Sequence, residues 1–279
     1  MRFSLVLATI GRISEVQRFL DSLDSQTYRD FELIVVDQNQ DDRLFPLLAA
    51  YRGRFSILHL RSESGLSRAR NAGLGHITGD VVTFPDDDCW YPPELFERIA
   101  RFFRERPELD GFTGRIADER GRSGTARFDN ESGPLNLVNV WKRAASVTLF
   151  LRRDVVEAIG EFDEALGVGA GTLWGGGEDI DYALRAVEGG FKLLYRPDIL
   201  VLHPSPEEYD YSQLRDRAYG YGAGIGRVWG KHDYPLWLVA YYFLRPIGGA
   251  VVNLALGRKG KAYYHFSAFR GRLRGWLSS

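Results

Sequence analysis

Cys89 is the only cysteine among 279 residues, so no disulfide can form within the chain, and the sequence suits a reducing compartment. Long apolar runs are missing as well. Residues 235–244 and 247–256 are each ten mainly apolar positions, divided by Arg245-Pro246. Ten residues are too few to span a bilayer and favour buried, re-entrant or interfacial segments. Residues 3–10 are apolar enough for a leader, but no small-residue cleavage site follows and Gly11-Arg12 interrupts them. They read as a first strand, from which a cytoplasmic catalytic body is expected. Charge of one sign is lacking too: the net charge of −1 and pI near 6.5 give no global argument for nucleic acid or membrane. No Gly-x4-Gly-Lys-Ser/Thr, no Gly-x-Ser-x-Gly and no zinc-like Cys/His spacing occurs. Gly222-x-Gly224-x-Gly226 has no strand before it and reads as helix packing, not as a dinucleotide fingerprint.

One absence is local. From residue 234 to 279 there is no Asp or Glu, against Arg245, Arg258, Lys259, Lys261, Arg270, Arg272 and Arg274. Removing those seven cations from a whole-chain charge of −1 leaves the preceding residues at −8. An acidic body is therefore joined to a basic, aromatic tail.

Through the first two-thirds, strand-like and helix-like segments alternate. Residues 2–8 form a short apolar run. Val16, Phe19, Leu20 and Leu23 follow at helical spacing, with Ser14-x-x-Gln17 as a capping box. Apolar strands are expected at 32–36, ending on Asp37, at 56–60, and at 81–84, ending on Asp86-Asp87-Asp88. After Pro92-Pro93, placed at a first-turn position, Leu95, Ile99, Phe102 and Phe103 share one helix face. Residues 117–140 read as loop and 146–151 as a strand. Residues 167–177 hold six glycines, and a helix starting at Glu178 carries Ile180, Ala183, Leu184 and Val187 as its buried stripe. Short strands at 191–195 and 199–202 end at His203, and from Glu207 the pattern is helical. This β-α-β-α succession predicts a mostly parallel sheet covered on both faces, with ligands bound outside the carboxyl ends of its strands. Asp37 and the Asp86 to Asp88 cluster both fall at such ends.

Three adjacent carboxylates repel one another unless a cation or hydrogen-bond donors compensate them. Mg²⁺ or Mn²⁺ takes oxygen ligands, commonly one or two carboxylates plus substrate phosphates, and would neutralise a diphosphate leaving group. A solvated acidic turn is the plain alternative. The apolar strand before the cluster, and the two aromatic residues and two prolines after it, favour a built site. Glu178-Asp179 lies at a helix start, where the dipole and free N–H groups stabilise a carboxylate suited to general-base work, with Asp181 as the competing candidate. A lone histidine is more often structural than a ligand, and His203 gains weight only beside Asp88. Arg70, in a helix-like stretch from 65 to 77, has the geometry to pair with a phosphate or base oxygen.

Ala8-Thr9, Val35-Val36-Asp37, Ala69-Arg70-Asn71-Ala72-Gly73, Asp86-Asp87-Asp88 and Gly177-Glu178-Asp179 stand in an order that resembles the family 2 glycosyltransferases of GT-A fold, over residues 1–205. The resemblance implies an α/β, Rossmann-like mixed sheet (the nucleotide-diphospho-sugar transferase fold) with a helical C-terminal extension. Domains are then expected at 1–205 and 206–279. It implies Thr9 and Asp37 at the base and ribose, Arg70 at the base or diphosphate, and Asp86 and Asp87 on the ribose side. Asp88 would be the metal ligand for Mn²⁺ or Mg²⁺, joined by His203. Asp179 would be the catalytic base of an inverting displacement, with Glu178 and Trp174 on the acceptor side, Trp174 as a stacking platform for sugar. Gln38-Asn39-Gln40-Asp41 departs from the commonest pattern, which carries a second acid there, and leaves UDP, GDP and dTDP donors open.

The expected reaction is transfer from a nucleotide-diphosphate sugar to a hydroxyl of a glycan or lipid-linked glycan, in cell-surface glycan or polysaccharide synthesis. The tail favours peripheral membrane contact through 235–279, at the inner face of the plasma membrane. A helical pair packed on protein is the alternative. Rival functions are a sugar nucleotidyltransferase, for which residues 8–12 are a poor Gly-rich signature, and a non-catalytic nucleotide-sugar-binding subunit.

Overall fold

The computed structural model describes residues 1–123, 127–204, 210–211 and 214–278. Among the described residues, eight strands, β1 (Phe3–Thr9), β2 (Phe31–Asp37), β3 (Ser56–Arg61), β4 (Val81–Thr83), β5 (Gly111–Ala117), β6 (Gly133–Pro134), β7 (Phe150–Arg152) and β8 (Leu193–Leu202), form one sheet. Their order is β3-β2-β1-β4-β7-β5-β8-β6. The first four strands pair in parallel, as does β5 with β8, while β7 and β6 run antiparallel to their neighbours. The sheet is therefore mixed: the parallel half follows from the β-α-β alternation, and the other half inserts reversed strands.

Helices α1 (Ser14–Asp24), α2 (Phe45–Tyr51), α3 (Leu66–Leu74), α4 (Leu95–Glu105), α5 (Val140–Arg143), α6 (Arg153–Ile159) and α7 (Glu178–Glu188) are interleaved with the strands. Beyond them come α8 (Arg215–Lys231), α9 (Leu236–Ala255) and α10 (Lys259–Leu277). The chain divides into two compact units. One comprises Met1–Ser64, Arg68–Phe162 and Tyr182–Ser205, and the other Gly65–Ser67, Asp163–Asp181 and Pro206–Ser279.

In the first unit β1 and β2 are buried at every position, as strands covered on both faces must be. Phe3, Leu5 and Leu7 alternate inward with Phe31, Leu33 and Val35 against Phe19, Leu20 and Leu23 of α1 and Phe96, Ile99 and Phe103 of α4. On the opposite face Gly73 of α3 lies against Val6 and Val36, close enough that a methyl there would overlap Val6. Phe162 stacks on Tyr182 at 3.9 Å, and both meet Phe84 edge-on.

The second unit is built differently. Gly222 and Gly226 of α8 face the backbone of α10 at Ala268 and Arg272, while Gly271 and Gly275 of α10 face the backbone of α8 at Tyr219 and Ala223. A Cβ at any of the four would overlap a main-chain atom. Of the three spaced glycines of α8, Gly222 and Gly226 serve helix packing, while Gly224 lies against the backbone of Gly176 in the glycine loop.

Several local expectations are corrected. The capping box does not form: Ser14 Oγ donates to Glu15 at 2.9 Å, and α1 starts after Ile13 without a side-chain cap. The prolines at 92 and 93 precede α4, which begins after Glu94. The strand expected at 146–151 is a 3-10 turn at Ser146–Thr148 followed by β7, because Thr148 Oγ1 bonds back to Ala145 O at 3.0 Å. The two strands expected at 191–195 and 199–202 are one, β8. The turn to helix expected at Glu207, like the expected boundary at 205 and 206, lies outside the described residues.

The largest correction concerns 235–256. Arg245-Pro246 does not divide it: α9 runs through Pro246 for 20 residues. Proline lacks the N–H that would bond the carbonyl four residues back. That carbonyl, Tyr242 O, instead accepts from Arg272 Nη1 of α10 at 2.6 Å. The helix is long and apolar enough to cross a membrane by length and composition alone.

Candidate active site

At the carboxyl end of β1, Thr9 Oγ1 donates to Asp87 Oδ2 at 2.7 Å. Two residues beyond, Gly11 turns the chain with φ near +73°, a conformation costly for other residues, and its N–H bonds Asn39 Oδ1 at 2.7 Å. This turn sends Arg12 back over the acidic cluster. Its Nη1 lies 2.6 Å from Asp87 Oδ1 and 2.5 Å from Asp88 Oδ2. The β4 end is held in register with β1 by a bridge between Ala8 and Asp86.

His203 reaches the cluster for a reason visible in the backbone. Trp90 and Leu202 exchange N–H···O bonds of 2.9 and 3.0 Å, so the segment after Asp88 pairs with the end of β8. His203 Nε2 then sits 3.1 Å from Asp88 Oδ1, and Nδ1 lies 2.8 Å from Pro204 O. Arg18 stacks its guanidinium 4.0 Å over Trp90 and donates to Asp88 O at 3.1 Å.

The three carboxylates occupy different electrostatic settings. Burial pushes Asp86 up to about 6, against the pull of Arg70 and with the push of Asp88 and Asp87. Asp87 is also raised by burial, which outweighs the Thr9 hydrogen bond and the Arg12 charge. At Asp88 burial is overcome by the hydrogen bond and charge of His203 and by Arg12, which hold the carboxyl down at about 2. His203 is raised in turn, chiefly by its hydrogen bond to Asp88. The most firmly ionised carboxylate is thus the one beside the imidazole.

Arg70 of α3 is almost fully buried. Nη2 donates to Asp86 Oδ1 at 3.1 Å and to Ser146 Oγ at 2.9 Å, and the guanidinium lies 5.3 Å over the Phe162 ring. Asp37, fully buried at the end of β2, accepts from Asn39 N and Nδ2 at 2.9 and 2.7 Å. His59 Nε2 and Arg61 Nη1 approach its other oxygen at 3.0 and 3.3 Å. Thr9, Asp37, Arg70, Asp86, Asp87, Asp88 and His203 therefore all lie at or beside the carboxyl ends of the sheet in the first unit. The sequence reading missed Arg12, His59, Arg61 and Ser146. The glycine before Arg12 was the one available signal.

Glu178, Asp179 and Trp174 belong to the second unit. Asp181 is fully buried there, with Lys231 Nζ at 2.8 Å and His232 Nε2 at 3.0 Å from its Oδ1, and Lys231 also meets Asp163 at 2.7 Å. That carboxylate is occupied structurally. Asp179 is only half-buried and accepts from Ile180 N at 2.8 Å, while Glu178 is buried. One face of the Trp174 indole carries the Arg227 guanidinium, 4.7 Å from its centroid.

Among the described residues no three His, Cys, Asp or Glu side chains gather into a self-sufficient metal site. Mg²⁺ and Mn²⁺ often take only one or two protein ligands, the rest being phosphate and water. The carboxylate and imidazole of Asp88 and His203 fit that partial role.

Comparison with known proteins identifies the frame. Residues 4–160 match the family model described as glycosyl transferase family 2. The chain belongs to glycosyl transferase family 2. Glycosyltransferase AglE of Haloferax volcanii is 26% identical over 234 residues, covering 81% of this chain and 73% of that protein. This family member also has the GT-A fold of two solved enzymes. Mannosyltransferase PcManGT from Pyrobaculum calidifontis, in complex with GDP-Man and Mn²⁺, superposes with a TM-score of 0.67 at 14% identity, over 100% of this chain and 88% of that one. S. aureus TarS 1-349 in complex with UDP-GlcNAc gives 0.62 at 16% identity, over 98% and 92%. The chain spans 43% of the longer TarS structure.

Proposed function

We propose that this glycosyltransferase is an inverting, metal-assisted enzyme moving a sugar from a nucleotide-diphosphate donor to an acceptor hydroxyl. The observation that carries this reading is the pairing of Asp88 with His203 at 3.1 Å, beside Arg12, at the carboxyl end of the sheet. The GDP-Man and Mn²⁺ bound by PcManGT and the UDP-GlcNAc bound by TarS support a donor of the same class here. Asp88 and His203 would hold Mn²⁺ or Mg²⁺, which when bound stabilises charge on a departing diphosphate.

The chain's own groups divide the remaining work. Thr9 and Arg12 orient Asp87, and Arg70 orients Asp86, for the ribose side of the donor. Asp37, held by Asn39, His59 and Arg61, faces the base. Asp179, in the first turn of α7, takes the proton of the attacking hydroxyl. The neighbouring Asp181 is engaged by Lys231 and His232 and is the weaker candidate for that task. Glu178 and Trp174 serve the acceptor side. The acceptor is a glycan or lipid-linked glycan in cell-surface glycan or polysaccharide synthesis, met at the cytoplasmic face of the plasma membrane through residues 235–279.

Asp88→Ala is expected to lower kcat/KM by about three orders of magnitude, the scale of lost charge stabilisation at a leaving group. It should also abolish the Mn²⁺-dependent rise in Tm given by nucleoside diphosphates, since a ligand bound only by the folded state must stabilise it. Asp179→Asn should lose turnover while keeping that rise. Full transfer by either variant, or a product with the donor's own anomeric configuration, would sink the assignment.

A further inference from the structure

We propose that α9 lies in the plane of an anionic phospholipid surface, its free apolar face in the acyl boundary and the cations of the tail at the phosphates. The inference rests on the proposed membrane-side location of residues 235–279 and gives that location its lipid and its orientation.

The helix has two apolar faces with different fates. Leu238, Val239, Pro246 and Asn253 form a buried stripe. The opposite side is equally apolar and uncovered: Leu236 is 72% exposed, Trp237 66%, Leu244 66%, Val251 62% and Leu254 63%. Arg245 is the one charged residue in the helix, and it too is exposed. Only 22% of the most apolar stretch is buried. Contiguous exposed apolar surface of this kind marks an interaction site.

Charge identifies the occupant. After Asp233 the tail carries no acid to repel a phosphate, and six cations to attract one besides Arg272, which is engaged with Tyr242 O. At the turn from α9 to α10, Arg258, Lys259 and Lys261 line an open hollow of about 440 Å³ with Tyr211 and Asp210. The hollow therefore follows the end of the apolar face, next to exposed Leu254 and Leu256. On α10, Tyr263, Phe266, Arg270, Arg274 and Leu277 are exposed at helical spacing, mixing aromatic, aliphatic and basic groups as interfacial helices do. A second copy of this chain would bring its own basic residues to the same contact, which argues against self-association.

Length alone permits a span, but two features favour the plane. Arg245 stands mid-helix on the uncovered side, where a bilayer centre disfavours charge. Arg272 of α10 is bonded to the backbone of α9 at Tyr242, so α9 cannot enter the hydrocarbon without drawing basic α10 after it.

The test is flotation of the full chain with vesicles of phosphatidylcholine alone and of phosphatidylcholine with about 30% phosphatidylglycerol. Binding to the anionic vesicles is expected to be at least about tenfold tighter and to weaken with salt. Leu244→Asp with Val251→Asp should abolish flotation, and Lys259→Glu with Lys261→Glu should reduce it at least about tenfold. Both variants should keep the wild-type Tm and its nucleoside-diphosphate shift, so that loss of docking is separable from failure of the donor reading. Equal binding to neutral vesicles would overturn the proposal. So would an α9-dependent dimer without flotation, or carbonate-resistant insertion indicating a span.

Discussion

The two compact units of this chain bring their helices into contact by different means. In the sheet unit large side chains fill the space between layers: Phe96 of α4 stacks on Phe3 at 4.9 Å and meets Phe31 and Tyr91 at 5.4 and 5.5 Å, fully buried. In the helical unit α8 and α10 come together because side chains are missing, at Gly222, Gly226, Gly271 and Gly275. The difference teaches where each kind of change strikes hardest: removing atoms at the aromatic cluster of the first unit, adding atoms at the α8–α10 contact of the second.

Phe96→Ala should therefore give the larger loss, about 3–5 kcal/mol, the range for emptying a buried aromatic site. Urea unfolding measures it directly, as a lower midpoint at unchanged slope. A loss below about 1 kcal/mol would mean that the sheet unit collapses around the cavity and is not jigsaw-packed. Gly275→Ala should cost less, about 1–3 kcal/mol, although it adds a single methyl and a better helix former. The added Cβ would overlap Ala223 O, a main-chain atom that cannot rotate away. A gain in Tm would show that helix propensity outweighs the close approach and would remove the contrast.

What the sequence made legible follows the same division. Asp37, Asp86 to Asp88 and His203 could be placed because each ends an apolar run, and strands buried on both faces announce themselves locally. The partnerships between them were not legible. Nothing adjacent in sequence says that Trp90 pairs with Leu202, the backbone bridge that brings His203 to Asp88. Arg12 was equally hidden, since its direction depends on the positive φ at Gly11. In the tail, Pro246 reads as a break by the ordinary rule, and the carbonyl it leaves open, Tyr242 O, is satisfied by the tertiary hydrogen bond from Arg272 while α9 runs on. Strand β5 went unread because Gly111, Gly114 and Arg115 break its apolar run, and β7 was expected too early because Thr148 satisfies its hydroxyl within the 3-10 turn.

The smallest effect concerns a charge inside the sheet unit. Glu32 on β2 accepts from Ser4 Oγ at 2.5 Å, Thr78 N at 2.7 Å, Thr78 Oγ1 at 2.8 Å and Arg2 Nη2 at 3.0 Å, tying β1 and the approach to β4 to one carboxylate. Burial alone would raise its pKa, but these donors and the Arg2 charge together hold it below the ordinary 4.5. The folded chain then binds fewer protons than the unfolded chain between the two values. The stability Glu32 contributes is complete above the ordinary value and drains away as pH falls through the lowered one. Glu32→Gln should accordingly cost about 1–2 kcal/mol near neutral pH, as for hydrogen bonds to a charged group, with the gap to wild type closing in acid. Urea unfolding of both proteins from about pH 7 to about pH 3 follows the gap. A gap that stays constant across that range would mean that the donors hold the neutral amide as they hold the carboxylate. The strap on the sheet would then be one of shape, like the glycine contacts of the helical unit, and not one of charge.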